Sequence, residues 1–387
     1  MAKKILIIAN KIVFPSLDGG SLAIQKLVKN LMHQKYVIDL VCISKNNSAS
    51  SLSKSQLLIQ NINQITFEKN MKINLISFLT SILNQTSYQA IRFYDLKIEK
   101  EMQKMIDKNE YNAVIFESIF TTIYFDKLKF QKNEKIIFRA HNVEHKIWED
   151  LAQNSIIKKS VFLLLAQQIK KMEHKIPKDV DYIFTLSDSD QMYFEKIFPN
   201  KTLQIPVTFD VEHTNHLKIK NSIAHLGAMD WKPNIEGVDW FLNHVKPKLT
   251  KEDINIYIAG KNMPTEYFNH QDTKTIIEGK IENAIEYIKN KEIIFVPLFS
   301  GSGIRIKILE AMTLGIPVIS TSKGAEGIPY KNKQNILIAN SPSEFKEAIC
   351  LLIKDKKLAQ QIGNEGKKLI LNHFSNEIVI NKLSRVL

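Results

Sequence analysis

The chain has 387 residues, of which 44% are hydrophobic and 24% are charged. This length is greater than that of an ordinary domain with a single hydrophobic core, and it predicts two domains of average size. The balance of apolar and charged residues is typical of a soluble globular protein, and no apolar run approaches the roughly 20 residues that span a bilayer. We therefore expect a cytoplasmic protein, with a peripheral position on the inner face of the plasma membrane left open.

The net charge of +13 is spread along the chain: Lys/Arg minus Asp/Glu gives 28 − 20 = +8 for residues 1–200 and 25 − 20 = +5 for the rest. Nucleic acid is disfavoured as a partner because zinc-ligand spacing, a helix-turn-helix signal and an aromatic RNA-binding string are all missing from the sequence. An anionic membrane surface or a phosphate-bearing substrate would explain the charge. A plain bias towards Lys, Asn and Ile would explain it as well.

The first half alternates predicted strands and helices. Lys4–Ala9 predicts a strand, residues 10–20 a loop, and Ser21–Met32 an amphipathic helix with Ser21 as its N-cap. Further strands are predicted at residues 37–43, 111–116, 135–139 and 182–186. This order indicates βαβ units and a doubly wound parallel sheet.

The second half, after Pro206, shows the same alternation of predicted strands and helices. We predict strands at residues 222–226, 254–259, 275–278, 293–298, 316–320 and 335–338, with a helix over residues 234–249. The fold class is therefore α/β, with two Rossmann-like domains that face each other across a cleft. We place the domains at residues 1–205 and 206–375.

The most informative segment is a buried strand, a Gly/Ser loop and a helix between Phe295 and Gly315. Gly301 and Gly303 allow a sharp turn and close approach to a ligand, while the helix start favours a phosphate. Glu310 is predicted about two turns into this helix, where its carboxylate can accept hydrogen bonds from a sugar diol. The alternative is an exposed helix carboxylate paired with Lys307.

The string from Gly301 to Ser320 resembles the nucleotide-sugar motif of GT-B glycosyltransferases, especially the retaining glycosyltransferase family four. That family has two glutamates eight positions apart, of which Glu310 matches the second, the ribose ligand. The first falls on Ser302, so the support that it gives to the donor sugar or the reaction centre is in doubt here. The resemblance implies that Ser302, Gly303 and Ile304 form the donor loop, and that helix 376–387 crosses back onto the first domain.

Cations near this loop are candidate phosphate ligands. Arg305 and Lys307 open the same helix but point to different sides of it, so we do not expect both to make the same contact. In the family an Arg comes directly after a glycine that matches Gly227, the residue that follows the strand at 222–226. Ala228 stands in its place, while Lys232 matches a later phosphate-binding base. A solvated surface role is the alternative for each cation.

Further site residues follow from the resemblance. Gly19 and Gly20 would let the first loop approach the donor phosphate or the acceptor, and Gly279 and Ile281 would hold the base through main-chain groups. His141 matches a cleft histidine that contacts the donor sugar, and we take it with Arg305 and Glu310 as the catalytic set. His141 and His145 have the spacing of a metal pair, but a third ligand is missing, so we expect no metal or other cofactor.

Two basic amphipathic segments, Lys69–Leu83 and Lys158–Lys178, either lie on an anionic membrane or face the core with solvated lysines. The sequence as a whole predicts transfer of a sugar from a nucleoside diphosphate donor to a glycan or lipid-linked glycan acceptor. By resemblance the transfer is retaining and metal-independent, in bacterial surface polysaccharide or glycoconjugate synthesis. A nucleotide-sugar epimerase and a non-catalytic nucleotide-sugar binder are the alternatives.

Overall fold

The computed structural model describes residues 3–16, 18–46, 52–83, 86–153, 157–176, 180–211, 217–301 and 303–387. The chain divides into two compact units. Unit 1 comprises residues 1–208 together with 376–387, and unit 2 comprises residues 209–375. Each unit is a sheet of mostly buried strands packed against helices, and the α/β fold class is confirmed.

The strands of unit 1 are β1 (Lys4–Ala9), β2 (Val37–Lys45), β3 (Ser53–Ile59), β4 (Ile62–Lys69), β5 (Ala113–Glu117), β6 (Lys135–Ala140), β7 (Tyr182–Thr185) and β8 (Thr202–Gln204). They pair in the order β3-β4-β2-β1-β5-β6-β7-β8. All pairs are parallel except β3 with β4, which form an antiparallel hairpin at the edge. The sequence patterns missed this hairpin because β3 is exposed along its whole length and so has no buried face to reveal it.

The α-helices of unit 1 that precede residue 209 are α1 (Gly19–His33), α2 (Leu75–Leu83), α3 (Tyr88–Ile91), α4 (Leu96–Lys108), α5 (Glu144–Gln153), α6 (Lys159–His174) and α7 (Asp188–Ile197). The start of α1 corrects the sequence prediction. Asp18, not Ser21, is the N-cap: its side chain accepts a hydrogen bond of 2.7 Å from the Ser21 N–H, in a capping box. Gly19 and Gly20 consequently form the first turn of the helix rather than the end of a loop.

Unit 2 contains β9 (Ser222–Leu226), β10 (Asn255–Ala259), β11 (Thr275–Glu278), β12 (Ile293–Val296), β13 (Val318–Ser320) and β14 (Leu337–Ile338). Its α-helices are α8 (Lys232–Trp240), α9 (Ala284–Ile288), α10 (Ile306–Thr313), α11 (Pro342–Lys354) and α12 (Lys356–His373). The strands are parallel in the order β11-β10-β9-β12-β13-β14, which is the doubly wound order. The order reverses between β9 and β12, and ligands of such sheets bind beyond the carboxyl ends of the strands at that point.

The last helix, α13 (Asn376–Leu383), returns the chain to unit 1. Gln34, at the end of α1, donates a hydrogen bond of 2.8 Å from its side-chain amide to the Ile380 carbonyl. Val379 and Leu383 are fully buried in the same apolar cluster as the inner strands β1 and β2. Burial of these two side chains fixes the helix against unit 1.

Candidate functional site

The loops that follow β9 and β10 meet closely at the carboxyl end of the unit 2 sheet. The Gly227 N–H donates to the Ala259 carbonyl at 3.0 Å. A Cβ built on Gly260 would lie 1.7 Å from the Gly227 carbonyl oxygen, so only glycine fits there. This contact holds the loop after β9 against the loop after β10, next to the point between β9 and β12 where the strand order reverses.

The loop after β12 is shaped by two glycines in left-handed conformations. Gly301 has φ +88 and Gly303 has φ +84, a region that side chains with a Cβ rarely adopt. The Trp231 ring packs so close to Gly301 that a Cβ there would lie 2.9 Å from it. Ser302 lies outside the described residues, and Ile304 is half-buried just before α10.

Arg305 occupies the N-cap position of α10 and braces this loop. One guanidinium nitrogen donates to the Gly303 carbonyl at 2.8 Å and the other to the Ser300 carbonyl at 3.4 Å. The guanidinium carbon lies 5.3 Å from the centre of the Trp231 ring, a cation–π contact. Burial lowers the pKa of Arg305 to about 10, so the group is charged at neutral pH. Its role as a phosphate ligand stays a prediction.

Lys307 turns away from Arg305 towards the loop that follows β9. Its Nζ donates to the Asn234 side-chain oxygen at 2.9 Å, and the Asn234 amide donates to the Ala228 carbonyl at 2.8 Å. A Cβ on Gly227 would lie 2.7 Å from this Nζ. Burial, reinforced by the charge of Arg305, lowers the pKa of Lys307 to about 7 against the opposing effect of Glu310. The lysine is therefore a cation whose charge changes near neutral pH.

Lys232 is the first residue of α8, and its side chain is 52% exposed. Its Nζ lies 3.3 Å from one oxygen of Glu236, while the Ser300 hydroxyl donates to the other at 2.7 Å. Glu236 thus links the β12 loop to the start of α8. The sequence analysis assigned no role to Glu236 or Asn234, because their partners Ser300 and Lys307 lie in a distant segment of the chain.

Glu310 lies closer to the loop than the sequence suggested. The helix α10 begins at Ile306, so Glu310 lies little more than one turn into it rather than the two turns expected. The carboxylate-bearing residue is half-buried. The shorter distance along the helix favours contact with a ligand held by the loop.

The segment after β11 offers main-chain groups to a ligand. The Gly279 carbonyl accepts from the Gly260 N–H at 3.0 Å, and a Cβ built on Gly279 would meet nothing within 4 Å. Ile281 is half-buried two residues later. Open space beside Gly279 is what a planar base would need, but the contact itself stays a prediction.

Beneath these loops, His225 of β9 is fully buried and connects the two strands at which the order reverses. Its Nδ1 lies 3.0 Å from the Phe295 carbonyl oxygen, so Nδ1 carries the proton and donates it. Burial and the nearby charge of Lys307 hold the pKa of His225 well below its ordinary value. The imidazole is neutral and joins β9 to β12.

Unit 1 holds a triad at the carboxyl ends of β5 and β6, in which a buried ion pair of Glu117 and Arg139 contacts the His141 ring. The Arg139 guanidinium lies 3.0 and 3.2 Å from the two oxygens of Glu117, and His141 Nε2 lies 2.6 Å from the second oxygen. Burial opposes ionisation of Glu117, but Arg139 and His141 outweigh it and hold its pKa below the ordinary value. Burial also lowers the pKa of His141, against the effect of Glu117. His141 is thus a neutral ring held by a buried carboxylate that the sequence analysis missed.

His141 and His145 do not act as a pair. His145 Nδ1 bonds Glu173 at 2.6 Å, whereas His141 bonds Glu117. In the described ranges of the chain, no group of three or more His, Cys, Asp or Glu side chains is arranged to hold a metal ion. Glu144, at the start of α5, has its pKa raised to about 7 by burial and by Glu173.

The start of α1 lies near the Lys11 side chain. Lys11 pairs with Asp18 at 3.1 Å, and a Cβ on Gly20 would lie 2.6 Å from the Lys11 Nζ. The charge of Lys11 also acts on His141 and Glu144. Gly20 therefore lies beside a cation that also acts on His141, and the ligand roles of Gly19 and Gly20 stay predictions.

Comparison with known proteins agrees with this architecture. Residues 220–355 match the family model of glycosyl transferases group 1. A Klebsiella pneumoniae protein described as an uncharacterized 44.6 kDa protein in the cps region is 23% identical over 404 residues, covering 98% of each chain.

Solved structures share the fold along nearly the whole chain. Sucrose-phosphate synthase from Thermosynechococcus elongatus superimposes with a TM-score of 0.71 at 13% identity, covering 99% of this chain and 98% of that one. A mutant of S. aureus TarM in complex with fondaparinux, alpha-GlcNAc-glycerol and UDP gives 0.69 at 11% identity, with 99% of each chain covered. Anabaena HepE in complex with UDP-glucose gives 0.62 at 10% identity, covering 99% of this chain and 98% of that one. The protein is a glycosyltransferase of the GT-B fold, and its second unit carries a glycosyl transferases group 1 domain.

Proposed function

We propose that this enzyme transfers a sugar from a nucleoside diphosphate donor to a hydroxyl acceptor on a glycan or lipid-linked glycan. The transfer is retaining and needs no metal ion, and it takes place in the cytoplasm during synthesis of a bacterial surface polysaccharide or glycoconjugate. The observation that carries the proposal is the loop of Gly301 and Gly303 leading into α10, with Lys307 and Glu310 on that helix. The cps-region relative and the UDP and UDP-glucose complexes of similar folds support it.

Each part of the donor has a proposed contact in unit 2. The diphosphate lies at the β12 loop and the start of α10, where Lys307, Lys232 and Arg305 supply positive charge. Lys232 would leave its ion pair with Glu236 and bind a phosphate oxygen instead. The Glu310 carboxylate accepts hydrogen bonds from the ribose hydroxyls, and main-chain groups at Gly279 and Ile281 hold the base.

The proposed reaction breaks the bond between sugar C1 and the diphosphate oxygen and forms a bond between C1 and the acceptor oxygen. As the bond to C1 breaks, negative charge develops on the departing diphosphate oxygen, and the diphosphate then takes up the proton of the acceptor hydroxyl, which neutralises that added charge. Cations at the loop stabilise that charge more in the transition state than in the ground state, which is what lowers the barrier. Unit 1 supplies His141 and the α1 start at Gly19 and Gly20 as its candidate site residues.

The pKa of Lys307, lowered to about 7, predicts a pH-dependent donor affinity. A bound diphosphate would raise that pKa, so below about pH 7 the lysine is already charged and affinity is highest. As the pH rises further, binding must take up a proton, and we expect affinity for UDP to fall by up to about tenfold per pH unit. Calorimetry in buffers of different ionisation enthalpy measures the proton uptake directly.

Lys307→Met provides the comparison for this titration. The variant should bind UDP weakly and show little change in affinity between about pH 7 and about pH 9, because the titrating group is gone. A pH profile in Lys307→Met that parallels the wild-type profile would place the titration elsewhere and remove Lys307 from the phosphate site.

The function itself is tested by incubating the protein with UDP-, GDP- and ADP-sugars, with and without candidate acceptors. Release of nucleotide that depends on acceptor supports transfer, and the anomeric configuration of the product shows whether the transfer is retaining. A changed donor sugar would instead identify an epimerase, and binding without turnover a non-catalytic binder. Full activity after chelation of divalent ions is expected, and its loss would contradict the metal-independent mechanism.

A further inference from the structure

Helix α2 of unit 1 is inverted relative to an ordinary surface helix. Leu75, Ile76, Leu79 and Leu83 are 69%, 74%, 51% and 80% exposed, whereas the polar Ser81 is the buried residue of the helix. A surface helix normally turns its apolar side chains inwards, and a contiguous exposed apolar patch marks an interaction site. The helix therefore presents an apolar surface that unit 1 does not cover.

The chain segment that contains this helix carries charge of one sign. Residues 69–94 contain Lys69, Lys72 and Arg92 and lack Asp and Glu altogether. All three cations line a cavity of about 350 Å³, together with Ile73 and Ser77 at the start of the helix. The acids that flank this segment are Glu68 and Asp95, and an Asp95 oxygen lies 4.0 Å from Lys69 Nζ. The cavity is a suitable size and charge for a phosphate-bearing head group.

Helix α6 lies next to α2 and likewise combines exposed apolar side chains with lysines. The Gln168 side-chain amide donates to the Ser81 hydroxyl at 3.3 Å, which fixes the buried side of α2 to α6. At the start of α6, Val161 and Leu163 are 45% and 46% exposed. Residues 157–172 contain four lysines and no acid. The two basic amphipathic segments of the sequence are thus neighbours in the fold.

We propose that α2 and its adjoining cationic cavity form a docking surface for an anionic lipid bilayer. The exposed side chains of α2 enter the boundary between head groups and acyl chains, and Lys69, Lys72 and Arg92 meet lipid phosphates. A second copy of the chain fits less well, because a symmetric contact would bring these like charges together. None of the described helices is both long and apolar enough to cross a membrane, so attachment at this surface is peripheral.

Vesicle sedimentation tests this surface independently of the proposed reaction. The wild-type protein should pellet with vesicles of equal parts phosphatidylcholine and phosphatidylglycerol, and about tenfold less with phosphatidylcholine alone or at high salt. The triple variant Leu75→Ser/Ile76→Ser/Leu79→Ser should lose at least about tenfold in partitioning to the anionic vesicles, because it removes the apolar side chains that enter the bilayer.

A matched control removes exposed apolar area elsewhere. Leu351→Ser/Leu371→Ser changes two unit 2 side chains that are 46% and 49% exposed and should leave vesicle binding unchanged. Both variants should keep the thermal shift that UDP produces, which separates loss of docking from loss of the donor site. Wild-type protein that stays in solution with anionic vesicles, a triple variant that binds them like wild type, or self-association through α2 without vesicle binding would each overturn the proposal.

Discussion

Replacing Glu310 by alanine is expected to lower kcat/KM for the sugar donor about a hundredfold, equivalent to about 3 kcal/mol. The carboxylate lies just over one turn into α10, and each hydrogen bond from a hydroxyl to a charged acceptor contributes roughly 1.5–3 kcal/mol. Steady-state kinetics with the active donor, together with the Kd for the free nucleotide, measures the effect. Most of the loss should appear in nucleotide affinity, because the ribose hydroxyls do not change during the reaction.

Two further variants show whether the effect of Glu310→Ala is specific to that carboxylate. Glu310→Gln keeps one acceptor oxygen and should fall between wild type and alanine. Glu347→Ala removes an exposed carboxylate from α11 of the same unit and should leave kinetics unchanged. Glu310→Ala kinetics within about twofold of wild type would mean that the carboxylate does not touch the donor.

The strand, the glycine loop and the helix between Phe295 and Gly315 could be predicted from the sequence, because their signals are local. Gly301, Gly303 and Glu310 follow a buried strand within one short segment, and the positive φ angles of both glycines agree with the sharp turn expected there. The sheet order of unit 2 then places this loop beside the loop after β9. Spacing along the chain alone could not locate the start of α10, because helix boundaries depend on the loop that Arg305 braces.

Contacts between distant segments escaped the sequence analysis. Asn234 meets Lys307 across 73 residues and Glu236 meets Ser300 across 64, so no motif contains either pair. The hairpin of β3 and β4 was missed for a different reason: β3 at the sheet edge has no buried face. Glu117 was also missed, although a carboxylate at the end of a buried strand is visible in the sequence. Its pairing with Arg139 can be inferred only once β5 and β6 are known to be neighbouring strands.

Glu117→Ala is expected to produce the largest loss of stability in unit 1, about 3–5 kcal/mol in the free energy of unfolding. The Arg139 side chain is 1% exposed, and removing its carboxylate leaves a charge buried without the partner that compensates it. Denaturant titration measures the loss. Glu101→Ala is the matched control, since Glu101 pairs with Lys54 and Lys104 at the surface and should cost at most about 1 kcal/mol. Equal losses in the two variants would show that the triad contributes no more than a surface ion pair.

Glu117→Gln separates charge from shape and reports on His141. The ionised carboxylate accepts a hydrogen bond of 2.6 Å from the Nε2–H of His141, which fixes the tautomer and leaves Nδ1 as an acceptor. Because the pKa of Glu117 is held below its ordinary value, its contribution to stability is present at neutral pH and is lost as the pH falls below about 4.3. Removing the negative charge should lower the pKa of His141 further, since Glu117 is the group that opposes the effect of burial. NMR titration of the ring nitrogens measures this shift, and an unchanged His141 titration would mean that the carboxylate does not control the ring.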